Sequence, residues 1–503
     1  MSARKKFFYN GTLLTIVGLS IKTVALLFGA FVSRTVGAEG TGLYTLVMTV
    51  YSFAVTFATS GISLTVTRLV ATAIGEGDRG ELSRIMRGAV LYSLVFSLIA
   101  SSVLFFGAEF FGARVLSDER AVVSLKILSV SLVPASLSSV FAGYFVGIKR
   151  VSANAAVQVI TQLAKVVITA MLVIRMSEYG TAMAVAALCI GLTFAELVAF
   201  LMMLIQFFLD RLRAGKYKKR GIAISPVLEM ALPLAFSAYI RSGLLTLEHM
   251  LIPKSLKKSG EESDEALASY GTLHGMALPT VLYPMSPLSS FSGLLEPEFA
   301  ESMAAGDTRR MKRITEEVIN VTLAYAVAIS VMLFIFSEEL GYVVYSSYSA
   351  GKYIALIAPV VPIMYLDHVT DSMLKGIGEQ VYSMWVNITD SALSIFLVWL
   401  LIPKMGIAGY AVVIIVMEAY NFILSFLRLK SKIKFSFSWI KGLFLPLIAA
   451  LLSAEVTKAL FIFGGSSSSG YWLVMKIIFS SCAYFVFLKT ASSLTALRRK
   501  RLC

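Results

Sequence analysis

Gly77-Asp78-Arg79-Gly80-Glu81-Leu82-Ser83-Arg84-Ile85 returns 229 residues later as Gly306-Asp307-Thr308-Arg309-Arg310-Met311-Lys312-Arg313-Ile314, with Gly-Asp, a large apolar residue and Arg-Ile in register. At the same offset Gly147-Ile148 falls on Gly376-Ile377, and one residue out of step Val133-Pro134 falls on Val361-Pro362. Anchors sharing one spacing predict two copies of one unit. Each copy is built of apolar segments long enough to cross a bilayer. Many transporters are duplicated bundles of this kind, with the transport site at the interface of the halves.

Of 503 residues, 57% are hydrophobic and only 15% charged, far from the balance of a soluble chain. The expected fold is an all-α integral membrane protein with about 14 transmembrane helices, since that many stretches reach the length of a crossing. The first two are 13–33 and 43–65, and the last two are 442–463 and 471–488. The repeat groups them as an N-terminal six-helix lobe (1–210), a basic cytoplasmic linker (211–223), a C-terminal six-helix lobe (224–428) and an added helix pair with a basic tail (429–503). Six crossings is an even number, so the halves are expected in the same orientation about an axis along the membrane normal.

A net charge of +15 would suggest a nucleic-acid partner if the basic residues shared one folded surface. They do not. With the amino terminus inside, roughly 30 of the Lys and Arg residues fall on cytoplasmic segments, about 12 outside and about 3 within spans. The charge is therefore an orientation signal for a multi-pass protein of the cell membrane with both termini cytoplasmic, and a lesser means of holding anionic headgroups. Arg4, Lys5 and Lys6 precede an apolar run too long for a cleaved leader and interrupted by Lys22, so the first span is expected to be retained. Cys189, Cys482 and Cys503 have neither metal nor redox spacing, and Cys503 does not fit the prenylation pattern.

Pro279, Pro284 and Pro287 lie in one expected span, 267–295, with Gly271, Gly275 and Gly293. That span cannot be a uniform helix. The charged stretches 67–87 and 296–317 each hold one copy of Gly-Asp and read as amphipathic cytoplasmic connectors; a simple turn at the Gly-Asp is the alternative.

Ionisable groups inside spans are costly and face polar interiors. Here they separate by half. Lys22 and Lys165 lie in first-half spans, with Arg34 and Arg68 near span ends. The second half holds Asp367, Asp371, Asp390 and Glu418, with Arg241, Glu248 and His249 in or near the seventh span. Asn154, Gln158, Gln162 and Lys165 are spaced four, four and three apart, which places them on one helical face. Asp367, Asp371 and Lys375 make a second stripe, and Asn387, Asp390 and Ser394 a third. The offset carries Lys165 onto Ser394, one turn from Asp390, so a cationic wall is expected opposite an anionic one. Lys22, Lys165 and Arg241, with Arg34 and Arg68, suit an anionic substrate such as a diphosphate. Structural ion pairs such as Lys165 with Asp390 or Arg241 with Glu418 are the competing account.

Glu248-His249 lacks the second histidine of a zinc helix, and His274 and His368 lie too far apart in sequence to make a signature. No metal site and no cofactor are expected. Gly37, Gly40 and Gly42 lack the Lys-Ser/Thr of a phosphate loop. Without a nucleotide-binding domain, the driving force is expected from the substrate gradient, the membrane potential or Na⁺ or H⁺ coupling.

Three stretches carry a family resemblance. They are Arg34-Thr-Val-Gly37-Ala-Glu39-Gly40-Thr-Gly42-Leu-Tyr44, then Gly143-Tyr144-Phe145-Val-Gly147, then Tyr270-Gly271 with Gly275-Met276-Ala277-Leu278-Pro279. They resemble the polysaccharide-exporter branch of the multidrug/oligosaccharidyl-lipid/polysaccharide transporter superfamily, including its sporulation and lipid II flippase groups. The resemblance spans essentially the whole chain. It implies two six-helix lobes in a V, alternating access and a lipid-linked sugar carried to the outer leaflet. Among the sporulation relatives it implies a lipid-diphosphate peptidoglycan precursor. By position it implies headgroup contacts at Lys22, Arg34, Arg68, Lys165 and Arg241. The arginine-rich first-helix motif of the lipid II flippases is not reproduced, Lys22 and Arg34 standing there instead.

A flippase, not an enzyme, is the leading reading, with the lipid-linked sugar and membrane lipids as partners. A cation-coupled multidrug exporter of the same superfamily is the rival, expected to favour acids and aromatics over a cationic wall. A membrane-embedded glycosyltransferase or ligase is the rival from another class. It would need a sizeable loop bearing an acid or base, and the longest loops here, about twenty residues, are too short to fold alone.

Overall fold

The computed structural model describes residues 3–76, 78–214, 221–437, 440–461 and 470–502. Gly77 of the first Gly-Asp, residues 215–220 of the basic linker and Cys503 lie outside them. The described residues form helices throughout, without a strand. The first half gives α1 (Ala3–Thr59), α2 (Ile62–Gly75), α3 (Arg79–Phe106), α4 (Ala121–Gly147), α5 (Val151–Met176) and α6 (Thr181–Ala214). There follow α7 (Ile224–Lys258), α8 (Ser263–Gly271), α9 (Leu278–Leu282), α10 (Ser286–Ala304), α11 (Thr308–Ile335) and α12 (Ser337–Tyr345). The remainder is α13 (Tyr348–Ile357), α14 (Val361–Gly376), α15 (Gln380–Met405), α16 (Ile407–Ile433), α17 (Leu445–Phe461) and α18 (Gly470–Leu502).

Twelve stretches among the described residues are long and apolar enough to cross a membrane. The first, Gly18–Gly75, has 58 residues. At 1.5 Å per residue it is about 87 Å long, enough for two passages of a roughly 30 Å core. The expected loop between the first two spans is instead helical, broken by a kink at Gly37 (φ 79°, ψ 178°), a conformation glycine reaches at little cost. Ser263–Ala304 adds a crossing too interrupted to count as one helix. As the prolines require, it passes from α8 through a π-helical turn, Thr272–Ala277, to α9, a 3₁₀ turn, Tyr283–Met285, and α10. Tyr325 donates its hydroxyl to the Pro284 carbonyl at 2.6 Å, steadying the break. Counted this way, the crossings number about fourteen.

The duplication extends to the backbone. The offset of 229 carries both ends of α3 onto those of α11, both ends of α5 onto those of α15, and the last residue of α4 onto that of α14. The duplicated Gly-Asp is a helix cap. Asp78 Oδ1 accepts from the Gly80 and Glu81 amides at 2.9 and 3.1 Å, and Asp307 Oδ1 from Arg310 N at 2.9 Å. An N-cap carboxylate satisfies amides that have no intrahelical partner. The stretches 67–87 and 296–317, expected as amphipathic connectors or as a simple turn at the Gly-Asp, each hold the end of one helix and the start of the next, which favours the second account.

The helices divide into two compact units. Unit 1 comprises Met1–Phe28, Thr35–Lys254 and Glu262–Gly271; unit 2 comprises Gly29–Arg34, Ser255–Glu261 and Thr272–Cys503. The division thus falls later than the basic linker, because most of α7 packs with the first-half helices. A Cβ at Gly61 or Gly88 would overlap the carbonyls of Ala231 and Ala223, so these glycines admit α7 into close contact. Tyr239 donates to Phe57 O at 3.1 Å, and Val227 and Ala231 join Ile62, Val66, Met86, Val140 and Phe141 in one buried cluster. Small hydroxyls tie the same unit: Ser93 and Ser136 approach at 2.6 Å, and Ser136 donates to Ala58 O at 2.7 Å. Such pairs hold membrane helices together, where apolar surface gives little drive to associate.

Candidate substrate and ion sites in the two units

In unit 1 the α5 stripe is less uniform than its spacing suggests. Asn154 is buried and donates Nδ2 to the Ala142 carbonyl of α4 at 3.0 Å, so it serves as a helix tie. Gln158 is exposed, and Gln162 and Lys165 are half-buried. Lys165 lies within electrostatic reach of Glu196 on α6. Glu196 escaped the sequence reading, although an acid inside the run Thr193-Phe194-Ala195-Glu196-Leu197-Val198 was the available signal. Lys22, Arg68 and Arg241 are exposed on α1, α2 and α7.

Arg34 belongs to unit 2 and is engaged. Its Nε donates to Val344 O at 2.8 Å, and Nη2 donates to Val343 O. Both carbonyls lie in the last turn of α12, where unpaired carbonyls and the helix dipole favour a cation.

Unit 2 gathers the four predicted acids, from α14, α15 and α16. Asp371 is paired along its own helix with Lys375 at 2.7 Å. Asp367 lies within electrostatic reach of Asp371 and Asp390, and Glu418 within such reach of Asp367 and Asp390. Asp367 Oδ1, Thr370 Oγ1 and Asn421 Oδ1 are buried oxygens without a hydrogen-bond partner. Asn387, of the predicted third stripe, turns its amide back to Ser383 O at 2.7 Å. Among the described residues no three His, Cys, Asp or Glu side chains converge in metal-binding geometry. His249 meets the Tyr270 hydroxyl at 2.8 Å and His274 that of Tyr410 at 3.0 Å.

The cations Lys22, Arg68, Lys165 and Arg241 thus fall in one unit and the carboxylates Asp367, Asp371, Asp390 and Glu418 in the other. A polar face with a cation in unit 1 can hold an anion. Excess carboxylates in a low dielectric require protons or a cation.

The comparisons agree with this architecture. Residues 7–303 match the family described as Polysaccharide biosynthesis protein, and 259–400 match MatE. The chain is 25% identical to Stage V sporulation protein B of Bacillus subtilis over 82% of this chain and 81% of that one. It is 21% identical to the Lipid II flippase MurJ of the same organism over 72% of this chain and 73% of that one. Among solved structures, Lipid II flippase MurJ in an inward closed conformation superposes with a TM-score of 0.71 at 15% identity, covering 99% of this chain and 100% of that one. An inward-facing multidrug resistance MATE family transporter gives 0.66 at 15% identity, covering 84% and 98%. The chain belongs to the polysaccharide biosynthesis protein family, within the multidrug/oligosaccharidyl-lipid/polysaccharide superfamily of membrane flippases and transporters.

Proposed function

We propose that the protein flips a lipid-linked oligosaccharide or peptidoglycan precursor, a lipid diphosphate-sugar, from the cytoplasmic to the outer leaflet by alternating access. The observation that carries the reading is the segregation of charge: Lys22, Arg68, Lys165 and Arg241, all on membrane helices, share unit 1. Cations on a membrane helix are retained where an anion is handled, and a diphosphate is the anion of such carriers. The likeness to Stage V sporulation protein B and to the Lipid II flippase MurJ supports this substrate class and a role in cell-envelope or spore-wall synthesis. On this reading Gln158 and Gln162 assist Lys165, while Asn154 and Arg34 shape the helices around the site. The protein is a transporter and not an enzyme.

The carboxylates support a second function in the same cycle. Asp367 Oδ1 is buried and unpartnered among acids that repel it, a setting that a coupling cation or proton would relieve. The MatE match, 259–400, includes Asp367, Asp371 and Asp390, and it favours the multidrug exporter as the rival reading. Proteoliposomes separate the two. The flippase reading expects a polyprenyl diphosphate-linked sugar to be translocated, with Asp367→Asn or Asp390→Asn altering the dependence on imposed Na⁺, H⁺ or potential gradients. Export of organic cations without movement of the lipid-linked sugar would establish the rival instead.

A further inference from the structure

Apart from α7, the compact units depart from the two sequence halves at two short stretches. Gly29–Arg34 comes from the first half but belongs to unit 2, although the chain on either side of it, Met1–Phe28 and Thr35–Lys254, belongs to unit 1. Glu262–Gly271 comes from the second half but belongs to unit 1, although Ser255–Glu261 before it and the chain from Thr272 onward belong to unit 2. Each half thus lends one stretch to the other unit, and each stretch is flanked by chain that stays behind.

Side chains secure both. Gly29–Arg34 is held through Arg34, whose Nε donates to Val344 O at 2.8 Å and Nη2 to Val343 O, in the last turn of α12. In the other stretch Asp264 accepts from Arg120 Nη2 at 3.0 Å, and the same guanidinium pairs with Asp118 at 2.8 Å and with Glu39. Gly271 seats the far end of α8. A Cβ there would lie 2.3 Å from Gly42 N and 2.4 Å from Ala38 O, and one at Gly42 would lie 2.0 Å from Leu267 O. The backbones of α1 and α8 therefore touch, as glycine alone permits. Breaks in the helix border both stretches: the Gly37 kink falls between Arg34 and Glu39, and the π-helical turn Thr272–Ala277 starts directly after Gly271. Helices change direction most readily at such points.

Arg34 ends the first crossing and Asp264 follows the seventh, so with the amino terminus inside both are expected outside. The polar ties are weak enough to part: Asp264 is mostly exposed, and an exposed ion pair contributes little. We propose that the two lent stretches form an outer latch, shut here, whose parts release together when the transporter opens to the outside. Opening draws Asp264 off Arg120, Gly271 off Gly42 and Arg34 off the end of α12, with the chain bending at Gly37 and at Thr272–Ala277. The proposal rests on the alternating-access reading above and supplies that cycle with a two-state element.

The test uses the full-length protein carrying Cys189→Ala, Cys482→Ser and Cys503→Ser. In right-side-out vesicles Leu267→Cys, buried where the Leu267 carbonyl meets Gly42, should react slowly with a membrane-impermeant maleimide. Adding Asp264→Asn should speed the reaction about two- to five-fold, the range an exposed ion pair gives, and Arg34→Gln should do the same from the other stretch. Unchanged labelling in Asp264→Asn overturns the latch, and unchanged labelling in Arg34→Gln overturns the joint release. A matching rise at Leu132→Cys, buried within α4, would mean general loosening and would also count against it. Arg120→Cys and Asp264→Cys joined by a bifunctional methanethiosulfonate should stop movement of a polyprenyl diphosphate-linked sugar in proteoliposomes, and reductant should restore it. Transport by the cross-linked protein at the unlinked rate overturns the proposal, since only a fixed contact tolerates the tie. The labelling needs no substrate, so a protein that moves no lipid-linked sugar before cross-linking tells against the flippase reading, while the latch stands or falls on the labelling rates.

Discussion

Ser117 and Ser346 stand 229 residues apart and share a left-handed backbone, with φ of 57° and 55°. Each follows a short helical segment, Phe110–Leu116 in one half and Ser337–Tyr345 in the other. Left-handed geometry is uncommon outside glycine, so its recurrence at equivalent positions means both copies kept one chain path. Lys149 and Gly378 form a second such couple, at φ 62° and 83°.

That second couple makes a stability prediction. A non-glycine residue in the left-handed region costs about 1–2 kcal/mol, while glycine gives back roughly 0.5–1 kcal/mol through the unfolded chain. Lys149→Gly should therefore stabilise the protein by about 0.5–1 kcal/mol, and Gly378→Ala should destabilise it by about 1 kcal/mol. Thermal unfolding in detergent reads both; a Lys149→Gly protein that melts lower than wild type would contradict the account.

Glu379, in the turn between α14 and α15, accepts from Lys432 at 2.6 Å and from Arg428 at 2.8 and 3.0 Å. Lys432 first and Arg428 second hold its carboxyl below the usual carboxylate range. A depressed pKa contributes stability above the unfolded value, about 4.3, and loses it as pH falls through the folded value. Melting temperatures between pH 3 and 7 should show the wild type losing stability at the acid end. Glu379→Gln should be less stable than wild type near neutrality and converge with it in acid; parallel curves would show that the interaction adds nothing.

Lys165 and Glu196 allow function and structure to be separated. On the proposed function, Lys165→Ala and Arg241→Ala should abolish complementation of a flippase-deficient strain at near-normal membrane levels. Glu196→Gln should leave levels normal and reduce transport less, about two- to ten-fold, because one electrostatic neighbour is worth on the order of 1 kcal/mol. Protein levels that fall with activity in Lys165→Ala and recover in Lys165→Ala/Glu196→Ala would assign the pair to packing instead.

Topology is the remaining test. From the charge distribution residues 211–223 and the stretch after Arg428 are expected in the cytoplasm, so reporter fusions after Arg220 and Lys434 should read inside and a fusion at Gly260 outside. An external signal at Lys219 would contradict the fourteen-crossing arrangement.

Much of this was written locally in the chain. Crossings follow from runs of apolar residues, the broken segment Ser263–Ala304 from prolines that cannot donate, and the duplication from Gly-Asp caps that recur because the helices they start recur. These are short-range properties, so the sequence by itself determined them. Tertiary structure decided which faces meet. α7 joins unit 1 because Gly61 and Gly88 leave room for its backbone, and Arg34 caps α12 across 310 residues of chain. Asn154 leaves its stripe for the Ala142 carbonyl. Lys165 comes within electrostatic reach of Glu196, and Asp367 within reach of Asp371, Asp390 and Glu418. A helical periodicity states which residues share a face, but the neighbour opposite that face is chosen by packing over the whole chain, where shape and the satisfaction of buried polar groups outweigh any local signal.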